Sequence, residues 1–254
     1  MKRFVLSVPP NPEGMVHLYE KDYHYLVRVR RLKSGSCFDA LLPNGTEVRL
    51  LVLSTVDKIL IAECLDLPER IPATQLPPIA LFQGLPKGTK MDTIVRQAAE
   101  GGVSVIAPFE TEYSAVRPNP EKLKRWDRIV REARQQSGSA TETIVRAPCD
   151  VEALLAYWES VKANHERPLG ILLHQEPLEK GSFHDYIRYH PDYIALAVGS
   201  EGGFSPKEKT LFLAAGFKPL LMGNTILRVE TAAVYAVAAL RIIMLERESW
   251  KPKE

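Results

Sequence analysis

Two short apolar runs, each ending in a glycine-bearing loop that leads into a helix, constrain this chain more than any other feature. Tyr193 to Val198 is followed by Gly199-Ser200-Glu201-Gly202-Gly203-Phe204-Ser205-Pro206 and a short helix. Lys218 to Met222 is followed by Gly223-Asn224-Thr225-Ile226-Leu227-Arg228-Val229-Glu230-Thr231 and a long apolar helix. In an open α/β sheet such loops lie together at the carboxyl ends of the strands, where ligands bind. Ser205 is a natural N-cap, Pro206 suits the first helical position, and Glu208 stands where a capping box needs it. Gly216 is placed to end that helix. Neither loop carries a nucleotide signature. The stretch Gly199 to Gly203 lacks the GxGxxG spacing, and Gly84 to Lys90 lacks that of a Walker A loop.

Around this pair, strands alternate with helices. Ile79 to Leu85 reads as a buried strand, followed by a helix beginning near Met91. Val103 to Ala107 and Leu169 to Leu173 read as further strands, with His174 at the carboxyl end of the second. Glu121 to Gln136 is a charged helix whose cations, Arg134 among them, mostly fit a solvated face. Asp150 to Val161 is amphipathic. This alternation predicts an α/β domain with a mostly parallel sheet over residues 79–254.

Residues 1–70 differ in texture. Phe4 to Leu6, Ser36 to Leu42, Val48 to Leu53 and Ile59 to Cys64 read as short strands, with a hairpin turn at Asn44-Gly45. They suggest a small barrel. Residues 71–78, within a proline-rich stretch, read as a linker. A helical patch from Lys21 to Arg31 puts His24, Arg28 and Arg31 at spacings of four and three, on one face. That face is either a solvated basic surface or a set of phosphate contacts. A length of 254 residues with 45% hydrophobic content suits two modest domains. A formal charge of +2 means that any nucleic-acid surface must be a local patch. Cys37, Cys64 and Cys149 lack metal or disulfide spacing, which argues for a reducing cytosol and against zinc. No signal peptide is visible, and the run Ala232 to Leu240 is too short to span a bilayer. The expectation is a cytoplasmic protein with no metal and no membrane partner.

The double motif at 199–232 resembles the RsmE family, SPOUT-class methyltransferases that act on N3 of a uridine in 16S ribosomal RNA. Residues 24–31, 83–92 and Gln136-Ser137-Gly138 resemble it too. The family's usual proline is Ser200 here, a common glutamate is Gln135, and arginines near Ser114 and beyond Gly138 are replaced by Tyr113 and Ser139. The resemblance implies a SPOUT-type parallel sheet with a C-terminal trefoil knot, and an N-terminal PUA-like β-barrel that binds RNA. It also implies S-adenosylmethionine as cofactor, 16S rRNA in the small subunit as partner, and a homodimer packed through the last helix. Two other readings stay open. One is a ribose 2′-O methyltransferase, whose last motif usually carries Ser-Leu-Asn instead of Ile226-Leu227-Arg228. The other is a non-catalytic RNA-binding or ribosome assembly factor.

On that resemblance three loops would cradle the cofactor. Leu172, Leu173 and His174 would come from the first; Gly199, Glu201, Gly202 and Gly203 from the second. The third would supply Leu221, Met222, Gly223, Ile226 and Leu227, with Thr231 and Ala232 opening the last helix. Arg228 is the candidate catalytic residue, because a guanidinium can meet the charge left on a uracil as its N3 proton departs. A structural cap, or a pair with Glu230 or Glu201, is its plain alternative. Glu230 is carried as a second catalytic candidate, although a carboxylate there also suits the helix dipole. For Glu201 three roles stay open: orienting Arg228, touching the ribose, or simply closing its turn. The RNA candidates are His24, Arg28, Arg31, Lys87, Lys90, Arg96 and Gln136.

Overall fold

The computed structural model describes residues 4–6, 8–65, 76–117, 119–174 and 182–249. Residues 71–75 of the expected linker lie outside them, as do Gln175 and Glu176 beyond His174. The chain forms two compact units: Met1–Pro72 with Arg134–Glu142, and Ala73–Ala133 with Thr143–Glu254.

The first unit holds a five-stranded sheet. Its strands are β1 (Phe4–Val5), β2 (Met15–Leu18), β3 (Cys37–Leu41), β4 (Glu47–Ser54) and β5 (Leu60–Leu65), in the order β1-β3-β4-β5-β2. Only β1 and β3 run parallel. Four of these strands follow the alternation of the sequence. The fifth, β2, is four residues long with a histidine in it, too short for a periodicity to show. Asn44-Gly45 turns β3 into β4 as expected: Asn44 Oδ1 accepts from the Thr46 amide at 3.0 Å, and Gly45 takes φ +89°.

The expected basic helix is only half regular. A short helix α1 (Glu20–Tyr23) passes into a π-helical turn over His24–Val29, which buries Leu26 completely in the sheet's core. Helical geometry stops at Arg30, and Arg31 follows with φ +58°. His24 and Arg28 are exposed on the turn, but Arg31 has left the helix, so the three do not share a helical face.

Arg134–Glu142 completes this unit in a way the sequence does not advertise. Arg134 is buried, not solvated. Its guanidinium donates to the carbonyls of Pro43 at 3.0 Å, Ala140 at 3.4 Å and Ser139 at 3.5 Å. Gln135 donates to the Val5 carbonyl at 3.4 Å. A string of carbonyl acceptors satisfies the buried guanidinium, and the Glu142 carboxylate acts on it electrostatically.

The second unit is built on six parallel strands. They are β6 (Ile79–Gly84), β7 (Val105–Phe109), β8 (Ile144–Val145), β9 (Pro168–Leu173), β10 (Tyr193–Val198) and β11 (Phe217–Leu220), ordered β11-β9-β10-β6-β7-β8. Helices α2 (Lys90–Glu100), α3 (Leu123–Ser137), α5 (Phe183–Ile187) and α7 (Val229–Ser249) supply the core on one face. Helices α4 (Val151–Ala163) and α6 (Pro206–Ala214) supply it on the other. Burial on both faces is why β6 and β10 read as unbroken apolar runs. Along β10, Ile194, Leu196 and Val198 join the first core, and Tyr193, Ala195 and Ala197 the second.

Local signals decide most element ends here. Ser205 and Glu208 form the expected capping box on α6, and Gly216 follows that helix with φ +89°. β11 ends at Leu220 and not at Met222, because its partner β9 ends at Leu173. The last bond there runs from the His174 amide to the Leu220 carbonyl, 3.0 Å. β7 begins two residues late, since the Val103 amide still bonds the Ala98 carbonyl of α2 at 2.9 Å.

Candidate active site

Ligands of open α/β sheets bind outside the carboxyl ends of the strands, where the connecting loops gather. A cavity of about 430 Å³ lies at these ends, beside the loops after β9, β10 and β11 and the first turn of α7. That size is in the range of small-molecule sites.

The middle loop, Gly199 to Gly203, is the most closely built. Gly203 turns the chain at φ +71° and donates from its amide to the Ser200 carbonyl at 2.9 Å. The loop packs directly on the end of β6. A Cβ on Gly84 would come within 2.5 Å of the Ser200 nitrogen, and one on Gly199 within 2.9 Å of the Gly203 backbone. Gln83, fully buried, donates from Nε2 to the carbonyls of Gly84 at 2.9 Å and Gly199 at 3.3 Å. Ser200 is buried and shares a 2.9 Å hydroxyl hydrogen bond with Thr111. The buried hydroxyl is therefore satisfied by a polar partner.

Glu201 lines the cavity, but its carboxylate is already engaged. It accepts from the Lys87 amide at 3.1 and 3.3 Å and from Lys90 Nζ at 2.5 Å. Burial pushes this carboxyl up, yet the hydrogen bonds from Lys90, its own loop amide and Lys87 outweigh that, and it titrates below the ordinary carboxylate range. Glu201 thus fastens the loop to residues 87–90 and does not orient Arg228. Lys90, carried as an RNA candidate, lines the cavity and is held by this pair. Lys87 and Arg96 are exposed in the same unit, while His24, Arg28, Arg31 and Gln136 are exposed in the other.

Arg228 sits immediately before α7, where its carbonyl accepts the first-turn bond from Ala232 at 2.8 Å. Its exposed guanidinium lines the cavity and makes no ion pair or hydrogen bond among the described residues. Neither Glu201 nor Glu230 has claimed it. Leu173, His174, Gly199, Gly202, Gly203, Leu221, Met222, Gly223, Ile226, Leu227 and Ala232 line the cavity as expected.

Three of the expected residues do not line it. Leu172 alternates to the opposite face of β9, fully buried with Phe82 and Ala197. Period-two alternation along the strand could have separated it from Leu173. Glu230 and Thr231 lie one and two helical steps past Val229, on the side turned from the cavity, whereas Ala232 returns to it. One carboxylate oxygen of Glu230 is shut from solvent with no hydrogen-bond partner among the described residues. Helical periodicity argues against both positions in hindsight. Lys209, Asn224 and Thr225 do line the cavity and were not anticipated. Lys209 is one turn past the Ser205 cap, a spacing the sequence shows plainly.

Comparisons with known proteins fit this geometry. Residues 74–241 match the family model for the RNA methyltransferase domain. The chain is 31% identical over 248 residues to the ribosomal RNA small subunit methyltransferase E of Synechocystis sp., covering 95% of this chain and 78% of that one. The protein of the same description in Bacillus subtilis is 26% identical, with 87% of each chain covered. The crystal structure of a ribosomal RNA small subunit methyltransferase E from Neisseria gonorrhoeae bound to S-adenosyl methionine superposes with a TM-score of 0.78. It is 26% identical and covers 96% of this chain and 98% of its own.

Proposed function

This chain belongs to the RNA methyltransferase family, among the ribosomal RNA small subunit methyltransferases E, and from that premise we propose that it methylates N3 of a uridine in 16S rRNA. It is an S-adenosylmethionine-dependent rRNA methyltransferase. The observation that carries the N3 assignment is the Arg228 guanidinium, without a partner among the described residues, at a cavity made of three carboxyl-end loops.

The residues present suit that cofactor. Leu173, Leu221, Met222 and Leu227 give an apolar wall, and at Gly199, Gly202 and Gly203 the backbone lines the cavity with no side chain to hold a ligand off. When bound, the cofactor supplies a methyl group already activated on a sulfonium. The protein must then align the base and make loss of its N3 proton easier. As that proton leaves, negative charge spreads to the flanking uracil carbonyl oxygens, and Arg228 offers them directed N–H donors. With no carboxylate partner among the described residues, the guanidinium is available to do so. Glu201 contributes indirectly, by tying the cofactor loop to Lys87 and Lys90.

The finer architecture belongs to the same reading. Residues 1–70 would be a PUA-like RNA-binding barrel, 71–78 a linker, and 79–254 a SPOUT domain tied into a C-terminal trefoil knot. The RNA candidates of the first unit would then grip rRNA backbone. The partner would be the small subunit in the cytoplasm. No helix among the described residues is long and apolar enough to cross a membrane, and no three metal-binding side chains cluster among them. Helix α7 supports a homodimer. Ala233, Ala236, Val237, Leu240 and Met244 are buried within the chain, while Tyr235, Ile242 and Leu245 leave an apolar stripe exposed opposite.

The deciding measurement is the product. Small subunits from a strain deleted for this gene, treated with pure enzyme, should acquire one methyl that stops reverse transcriptase even when nucleotides are abundant. N3 methylation removes a Watson–Crick donor. Pausing only at scarce nucleotides would mean a ribose methyl and would overturn the assignment.

A further inference from the structure

Tyr113 has an unusual setting for a half-exposed aromatic. The residue is 48% exposed, yet the backbone on both sides of it is pinned. The Ser114 amide donates to the Thr111 carbonyl at 2.8 Å, and the Thr111 amide to the Ser114 hydroxyl at 3.0 Å. Thr111 is hydrogen-bonded to Ser200, and the Glu112 amide donates to Glu208 Oε1 at 2.8 Å. The turn is thereby fixed to the cavity loop and to the capping box of α6.

Gly202 shows why this matters. A Cβ there would stand 2.5 Å from Tyr113 Cβ, so the absent side chain is the space Tyr113 occupies. Gly202 also lines the cavity, which puts the tyrosine at its rim. A tyrosine in the core would be explained by packing, and one on a loose loop by solvation. An aromatic on a pinned turn at the rim of a site, still half-exposed, fits neither.

We propose that Tyr113 is a stacking platform for a base of the RNA substrate. The proposal rests on the rRNA reading above and adds a contact to it. Bases that proteins read in RNA are unstacked and laid on aromatic side chains or guanidinium planes. Every base offers a π-face, so this contact grips without choosing sequence. With its backbone already held by the turn and only two side-chain torsions left to fix, a tyrosine loses little freedom on binding. The alternative source of the same grip is the phenol hydroxyl bonding a phosphate, and substitution separates the two.

The test compares Tyr113→Phe, Tyr113→Leu and Tyr113→Ala on small subunits from a strain deleted for this gene. KM for subunits, affinity for S-adenosylmethionine by calorimetry, and Tm are measured for each. Stacking predicts that Phe matches wild type, while Leu and Ala raise KM about five- to a hundredfold. Cofactor affinity and Tm should hold. Should the alanine variant fold poorly, the leucine variant carries the test, since it still fills the space beside Gly202. A leucine enzyme equal to wild type would reduce the ring to a filler. A phenylalanine enzyme as impaired as leucine would assign the grip to the hydroxyl. Parallel loss of cofactor affinity would make Tyr113 a wall of the cofactor site. If the wild-type enzyme fails to methylate subunits at all, the rRNA reading itself falls, and the stacking proposal with it.

Discussion

Replacing Gly84 with alanine tests whether the end of β6 sets the position of the cofactor loop. The added Cβ would lie 2.5 Å from the Ser200 nitrogen, 2.7 Å from the Gly199 carbonyl carbon and 3.1 Å from Gly199 Cα. All three are backbone atoms, so no rotamer can relieve the contact. Ordinary contact begins at 3.4 Å, and the loop must therefore retreat by about an ångström. Overpacking of this kind costs about 1–3 kcal/mol. For a chain of this size it should lower Tm by roughly 2–4 °C per kcal/mol. The functional effect should be larger in proportion. The retreat lengthens the 3.3 Å bond from Gln83 to the Gly199 carbonyl and shifts one wall of the cavity. A misplacement of about 1 Å in a positioned site can cost on the order of a hundredfold in rate. Calorimetry with S-adenosylmethionine and a thermal melt should be run beside Gly88→Ala. Gly88 has φ +68° and open space around its Cβ, so alanine there costs strain but moves no loop. Gly84→Ala binding the cofactor as tightly as Gly88→Ala does would refute the reasoning, because the strand end would then not control the loop.

Three further outcomes are expected. Arg228→Ala should lower the methyl-transfer rate about a hundredfold or more, near 3 kcal/mol, with little change in cofactor affinity, and Arg228→Lys should rescue only part. Equal losses in rate and affinity in single-turnover and calorimetric assays would make it a cofactor ligand instead. Glu201 is held below its usual value in the folded protein, so its stabilisation is complete above the ordinary carboxylate pKa and is lost as pH falls through the lower folded one. The Tm gap between wild type and Glu201→Gln should thus be full at neutral pH and close on acidification; a gap unchanged down to pH 3 would count against the latch. In sedimentation at micromolar concentration the wild type should run at twice 28.5 kDa and Ile242→Glu as a monomer, and a monomeric wild type with full activity would end the dimer reading.

What the sequence revealed and what it concealed divide along physical lines. β6 and β10 were legible because both faces are buried, and the capping box of α6 because its chemistry is complete within four residues. The cavity lining was legible for most positions, since glycine loops after strands leave a local pattern. Arg134 was not. Its burial depends on the carbonyl of Pro43, a residue remote in sequence, and nothing in a charged helix marks one arginine as different. The engagement of Glu201 with Lys87 and Lys90 was hidden for the same reason, and so was the tie between Ser200 and Thr111. The π-helical turn at His24–Val29 escaped because its register is set by seating Leu26 in the core and not by local propensity. That Leu172, Glu230 and Thr231 do not line the cavity is of another kind, because strand and helix periodicity already separated them from neighbours that do.

The pairing of β6 with β10 also bears on how the enzyme comes into being. Ile79 pairs with Ile194, more than a hundred residues later, and the cavity needs β11 and the first turn of α7 as well. Contacts so distant in sequence fold slowly, because the intervening chain must be closed before they reward it. At about 5–20 residues per second, a chain emerging from the ribosome spends several seconds with β6 made and its central neighbour absent. Throughout that interval an apolar strand end waits with no cofactor to stabilise it, since every loop that would hold one lies later in the message. A truncated translation product would therefore be a target for chaperones and proteases and not a partly active methyltransferase.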